Sequence, residues 1–437
     1  MILFVGPEAN LLRISASGGS PSPVTRVEAP QHQAHVYPQF LPDGRHFLFY
    51  VEGTPAARGI YVGELDRKEI RRLRDADSAA VFSPSGHLLF ISRGTLFAQD
   101  FAPDRSVLSG DPFRIAEQVE AGGLTNSGAS ASAAGVIGYR KATSAGQRQL
   151  VWFDRTGHQI GKIGDPDSAQ PVNPSMSPDG RTVAVNRAVD GNNDIWLIET
   201  AGSHGTVKFT TDAAIDFNPM WSPDGRRVLF NSFRSGQPRV YVQLANGAPG
   251  SEQSLPLPPS ALPVDWSTDG RFLLYNTTDP KTGIDLWALP MDGGRKAGEP
   301  LPVVQTNADE RDGQFSPDGK WVAYQSNETG RFEVYVKAFP DVGRRPQLVS
   351  VHGGEQVRWR RDSNEVFYIG TDNRLMAVPV RLAPDSQSIE SDPPVGLFPT
   401  RVLHERAAVL RQQYIVSADG PQFLINKRWT NTPRPLR

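Results

Sequence analysis

The side chains of this chain that could do chemistry are few and scattered. His32 and His35 stand three residues apart, a spacing at which two imidazoles could share one metal ion, but no carboxylate cluster flanks them. Asp190-Gly-Asn-Asn-Asp194 has the carboxylates and amides of a calcium loop and lacks the downstream glutamate that completes one. It also falls where other parts of the chain have a hairpin turn, so it reads as a turn. With no cysteine in 437 residues, disulfides, thiolate nucleophiles and cysteine metal sites are excluded. There is no Gly-x-Ser-x-Gly elbow, no His-Glu-x-x-His, no glycine-rich phosphate loop and no kinase catalytic motif. No residue is therefore assigned a catalytic, cofactor-binding or metal role, and no cofactor is expected. Basic runs at Arg358, Arg360 and Arg361 and at Lys427 and Arg428 read as solvated strand edges. Leu255-Pro-Leu-Pro-Pro259, which could form a polyproline ligand, reads as a connecting loop.

The elements that would position any site are announced by a recurring turn. Met176-Ser-Pro-Asp-Gly180, Trp221-Ser-Pro-Asp-Gly225 and Trp266-Ser-Thr-Asp-Gly270 are 45 residues apart, and Phe315-Ser-Pro-Asp-Gly319 follows after 49. Phe40-Leu-Pro-Asp-Gly44 and Phe82-Ser-Pro-Ser-Gly86 are earlier copies, and Trp359-Arg-Arg-Asp-Ser363 is a worn later one. Proline presets φ for a type I turn, aspartate suits its third position, and glycine takes the left-handed conformation that closes the hairpin. Each turn leads into an apolar strand such as Thr182-Val-Ala-Val185 or Trp321-Val-Ala-Tyr324, apolar on both faces as a strand covered on both sides must be. A third strand carries an aromatic 16 or 17 residues past the turn glycine, as in Ile195-Trp-Leu-Ile198 and Val334-Tyr-Val336, and a weaker, polar fourth strand follows. One such unit per 40 to 50 residues predicts an all-β protein, a β-propeller of four-stranded antiparallel blades. The turns and their aromatics are scaffold.

Two similar endings punctuate the repeat. Leu96-Phe-Ala-Gln-Asp-Phe-Ala-Pro-Asp104 leads to a strand pair over 129–139, and Leu375-Met-Ala-Val-Pro-Val-Arg-Leu-Ala-Pro-Asp385 to another over 413–425. The expected organisation is a partial N-terminal propeller of about three blades over 1–145, a six-bladed ring over 146–430 and a tail over 431–437. The ring closes with strands from both of its ends: Leu150-Val-Trp-Phe153 and Gln159-Ile-Gly-Lys-Ile163 supply the last two strands of a blade that the pair around Gly420 completes. A single large ring of eight or nine blades is the alternative. The segments 1–5 and 11–14 read as the second and third strands of a blade without its first, so Met1 is expected to be an internal start, the product of a split gene or a deliberate truncation. Only 405–413 looks helical, and it lies between strand signals.

A net charge of −1 gives no reason to expect nucleic acid or an anionic membrane as a partner. No stretch approaches the roughly 20 apolar residues of a membrane-spanning helix. The units resemble the WD40-like Pro-Asp repeats of TolB-type propellers. They are most similar to the propeller region that follows the membrane helix of bacterial membrane-anchored serine/threonine kinases. The phrases that carry this are Phe40-Leu-Pro-Asp-Gly-Arg-His-Phe-Leu48, Gln149-Leu-Val-Trp-Phe-Asp-Arg-Thr-Gly157, Phe315-Ser-Pro-Asp-Gly-Lys-Trp-Val-Ala-Tyr324 and Ser326-Asn-Glu-Thr-Gly-Arg331. The resemblance implies a non-catalytic sensor or interaction region, extracytoplasmic when attached to such a kinase, with a protein or peptide ligand on a propeller face. It implies no kinase activity here, because the chain contains no kinase motif. The alternative is a propeller belonging to, or accompanying, a prolyl-oligopeptidase-like hydrolase.

Overall fold

A computed structural model describes all residues except 7, 29–30, 55, 68, 120–127, 141–146, 190–191, 203, 249, 260, 341–342, 383–387, 401, 403–411, 419, 421 and 430–437. Most of the helix-like 405–413 segment and the tail thus lie outside the described residues. Among the described residues the chain is strand and turn throughout, with no helix.

The repeated turn works as a side-chain clip. In the copies at Ser177, Ser222, Ser267 and Ser316 the glycine N–H donates to the serine carbonyl at 2.8 to 2.9 Å. The serine hydroxyl donates to the aspartate two residues on in the turn, and accepts the N–H of the residue that opens the next strand at 2.9 to 3.0 Å. The aspartate then accepts the N–H that follows the glycine. Each clip needs a glycine at φ between 68° and 74°, a region open to glycine at little cost. The worn copy departs in both respects. Arg360 stands where the serine should be, and Ser363 holds the glycine position at φ 60°. Ser363→Gly should therefore raise stability by about 1 kcal/mol, read as a higher urea midpoint at unchanged slope.

The chain divides into two compact units, one of 1–146 with 190–192 and 233–237, the other of 147–189, 193–232 and 238–437. The first unit contains a three-stranded sheet (Ile2–Val5, Leu11–Ile14, Ser22–Pro23) and a four-stranded sheet beginning with His32–Phe40. It also holds a four-stranded sheet from Val81–Ser83 to Val107–Glu117 and the pair Ala129–Ala131 with Ile137–Tyr139.

In the second unit six antiparallel sheets follow one another. Five of them open with the strands Val172–Met176, Asp216–Trp221, Leu262–Trp266, Glu310–Phe315 and Glu355–Trp359. In the sixth, Arg148–Asp154 pairs in full register with Gln422–Arg428, which pairs with Tyr414–Val416. Strands from the two ends of the unit thus share one sheet, and no strand edge is left open at the join. The opening strands and Tyr414–Val416 touch one another in an unbroken cycle, so these six strands surround an axis.

The core lies between consecutive sheets. Leu229, Val240 and Val242 of one pack on Trp266, Leu273 and Tyr275 of the next, and Trp321, Ala323 and Val334 pack on Val357, Trp359 and Val366. The joining sheet is sealed by Phe367, Phe398, Tyr414, Phe423 and Ile425. The outermost strands are short and exposed, as in Thr206–Lys208 and Gln347–Leu348.

Candidate functional site: the axial strands of the second unit

The opening strands do not run as plain apolar strands. Each carries a bulge in the three residues before its last side chain. Four of them hold a polar residue there in the left-handed region: Asn173 (φ 53°), Asn218 (φ 55°), Asp312 (φ 49°) and Gln356 (φ 56°). Asparagine and aspartate tolerate that region better than other side chains, which accounts for three of the four. The bulge re-aims the strand and turns polar groups toward the axis in place of apolar ones.

These groups are joined around the axis. Gln413 Nε2 lies 3.5 Å from Asn173 Oδ1, and Asn173 Nδ2 donates to Asn218 Oδ1 at 2.8 Å. Gln356 accepts the Gln413 N–H on Oε1 at 2.8 Å and the Tyr414 hydroxyl on its carbonyl at 2.8 Å. Asn426 Nδ2 donates to Gln413 Oε1 at 2.7 Å. Two residues later in the strand, side chains reach the next sheet: the Phe315 N–H donates to Asp265 Oδ2 at 2.8 Å, and the Trp221 N–H to Ser175 Oγ at 3.4 Å.

At the same strand position stands Arg358, 7% exposed. Its guanidinium donates to Gln412 Oε1 and to the carbonyl of Val357, and it lies 5.7 Å from the Tyr414 ring centre. No carboxylate comes within ion-pair distance of it among the described residues. Burial holds its pKa below the usual arginine range, opposed by Tyr414, Asp312 and Asp265. Burial also pushes the Tyr414 phenol up. An isolated buried cation is costly unless something accepts its hydrogen bonds; here two neutral acceptors, Gln412 Oε1 and the Val357 carbonyl, do so.

The structure separates the basic run that the sequence groups together. Arg358 is inside because strand alternation turns it toward the axis, contrary to its reading as a solvated edge. Arg360 opens the turn, 3.2 Å from Asp362 and 3.7 Å from Glu365, and Arg361 is exposed. Lys427 and Arg428 lie half-buried on the joining strand, with Lys427 5.8 Å from the Phe153 ring centre. Leu255 and Leu257 of the proline-rich stretch are buried between two sheets, anchoring a connection. Asp194 is buried on the strand Asn192–Glu199, 2.8 Å from Lys208, and residues 190–191 lie outside the described residues. A cavity of about 480 Å³ is lined by Arg148, Lys162, Arg187 and His204, but Arg187 pairs with Asp167 and Lys162 with Asp165.

The histidine pair lies in the first unit. His32 Nδ1 is 3.1 Å from His35 Nε2, His35 Nδ1 is 2.8 Å from Thr25 Oγ1, and that hydroxyl accepts the Leu11 N–H. The chain ties an inner strand to its neighbours. Among the described residues no group of three or more metal-ligating side chains assembles here or elsewhere. Burial, and next the neighbouring His32, lower the His35 pKa from 6.5 to about 4; burial also lowers that of His32, against the pull of Glu28. The unfolded chain takes up a proton on His35 near pH 6.5, whereas the folded unit refuses it until about pH 4. The stability His35 gives is thus complete above pH 6.5 and falls as the pH drops through that window, by about 3 kcal/mol. A pH series of unfolding midpoints should show that fall for the first unit, and His35→Gln should flatten it.

Known proteins share parts of this architecture. A model described as PD40, TolB beta propeller domain, matches residues 156–296, which include the clips at Ser177, Ser222 and Ser267. The fold is a TolB-like β-propeller. No curated protein matches the chain. Among solved structures, a protein from Agrobacterium tumefaciens described as a TolB is 17% identical, with 65% of this chain and 99% of that chain covered at a TM-score of 0.48. TolB from Acinetobacter baumannii is 18% identical over 71% of this chain and 65% of its own, at 0.38. An oligogalacturonate lyase from Vibrio parahaemolyticus is 12% identical over 62% and 76%, at 0.41.

The axial residues carry a signal in the sequence that the motif search passes over. They stand three residues and one residue before the side chain that precedes each turn. Aligning the copies on the turn would have shown Asn173, Asn218, Asp312 and Gln356 in one column, and Ser175, Asp265, Gln314 and Arg358 in another.

Proposed function

We propose that the chain is a non-catalytic interaction module that binds a protein or peptide at the axial strands of its second unit, and that it serves as the sensing region of a bacterial serine/threonine kinase. The observation that carries the binding half is Arg358: a buried guanidinium on the axis, bonded to neutral acceptors alone, among amides that can both donate and accept. Such a set recognises backbone and side-chain acceptors of an extended segment and offers no nucleophile held by a base. The kinase half rests on the resemblance of the repeat phrases.

Peptide-library selection on the full chain tests the binding half. Peptides enriched on the native chain should be lost from Arg358→Met. The kinase half is tested by cross-linking in a cell that carries the gene, where the captured partner should include a serine/threonine kinase domain. Turnover of peptide or ester substrates, abolished by a serine-directed inhibitor, would overturn the non-catalytic reading.

A further inference from the structure

A second site lies away from the axis, near the Asp224-Gly225 turn. The strands Arg227–Ser232 and Arg239–Leu244 of one sheet and the hairpin at Gly293 and Gly294 of the next enclose a cavity of about 240 Å³. That is about eight times the volume of a water molecule in the liquid. Arg227, Gln243, Ser251, Gln253 and Arg295 line it.

Three features set its chemistry. First, its two cations have donors to spare. Arg227 stands 3.7 Å from Asp224, beyond hydrogen-bond distance, and Arg295, on the exposed hairpin, has no ion pair among the described residues. Second, Gln243 is 5% exposed, and its Oε1 is buried without a hydrogen-bond partner. An acceptor left so is costly, a cost that a donor on a bound molecule would remove. Third, the hairpin is built to bring the arginines together. Gly294 sits at φ 84°, and a Cβ there would meet Arg227 Cδ at 3.1 Å and Nε at 3.2 Å. A glycine lets the hairpin lie against the Arg227 side chain, and Arg295 follows at once.

We propose that this cavity binds a carboxylate that carries an N–H or O–H donor on the adjacent carbon. The carboxylate lies between the Arg227 and Arg295 guanidinium groups, where planar forks suit it. The neighbouring donor reaches Gln243 Oε1. The last residue of a peptide has that chemistry, and so has a free α-hydroxy acid. The site shares no residue with the axial strands and stands whether or not they bind a partner.

The test is calorimetric titration of the full chain with N-acetylglycine, lactate and acetate. N-acetylglycine or lactate should bind saturably with a dissociation constant below about 5 mM, and acetate at least about tenfold more weakly. Tighter binding of N-acetylglycine assigns the site to peptide ends, and tighter binding of lactate to free hydroxy acids. Arg295→Gln, a change on an exposed hairpin, should weaken both by about tenfold or more. Gln243→Leu should bring both down to the level of acetate and leave acetate unchanged. No saturation by any of the three at about 20 mM, native affinity in Arg295→Gln, or an equal loss for all three in Gln243→Leu would each overturn the proposal.

Discussion

A chain ending at residue 412 should lose the cooperative unfolding of its second unit. The truncation removes Tyr414–Val416 and Gln422–Arg428, two of the four strands in the sheet that joins the ends of that unit. Tyr414, Phe423, Leu424 and Ile425 go with them, all fully buried. At about 1.5–3 kcal/mol for each large apolar side chain, the loss reaches about 6–12 kcal/mol. That is the whole stability of a typical domain. Leu150 on one side and Phe367 and Ile369 on the other would also be bared, because they pack on the missing strands. Hydrogen exchange should show the strand Arg148–Asp154 unprotected, and calorimetry should show the second unit's transition gone. A truncated chain that still melts in one sharp step within a few degrees of the native one would contradict the joining role. Leu424→Asp, a single change on the strand Gln422–Arg428, should point the same way with a smaller effect.

The second large effect is expected at Trp321. Its ring is 3% exposed and packs with Val334, Val357, Trp359 and Val366, so that it spans two consecutive sheets. Trp321→Ala leaves a cavity that the surrounding strands cannot collapse into, and should cost about 3–5 kcal/mol. Its Nε1 has no hydrogen-bond partner, so the loss is one of packing alone. Trp221 is the informative contrast. It is half-buried, at the edge of the cluster around Val228 and Phe230, and Trp221→Ala should cost about half as much. The two are compared by urea midpoints at constant slope. Equal losses would mean that the packing between sheets is less selective than the burial of the two rings indicates.

That contrast shows what the sequence discloses. The turns, the apolar second strands and the weak outer strands are legible because each repeats with its own chemistry: a serine–aspartate clip, a glycine at positive φ, a run buried on both faces. The pairing of Arg148–Asp154 with Gln422–Arg428 is also legible, since two incomplete units with complementary strands stand at either end. Burial of individual aromatics is less so. Trp221 and Trp321 look alike in sequence, yet Trp221 ends an opening strand and Trp321 begins a second strand. The axial site is hidden for another reason. Asn173-Pro174 and Asn218-Pro219 have the composition of turns, and a bulged strand is the case in which turn-like residues sit inside a sheet. Arg358 is masked by its neighbours: in Arg358-Trp-Arg-Arg361 only the first arginine lies within the strand Glu355–Trp359, and the other two fall in the turn beyond its end.

The claim that matters most is that Arg358 is held on the axis for a ligand and not for the fold. Arg358→Met tests it with two readouts on the full chain. Methionine keeps the length of the side chain and removes a buried charge. The gain from losing that charge offsets the loss of the bond to Gln412, so the unfolding free energy should change by no more than about 1 kcal/mol. Peptides selected on the native chain should at the same time fail to bind the variant. A variant that is destabilised by more than about 3 kcal/mol, or that keeps every selected peptide, would show Arg358 to be part of the scaffold and would contradict the account.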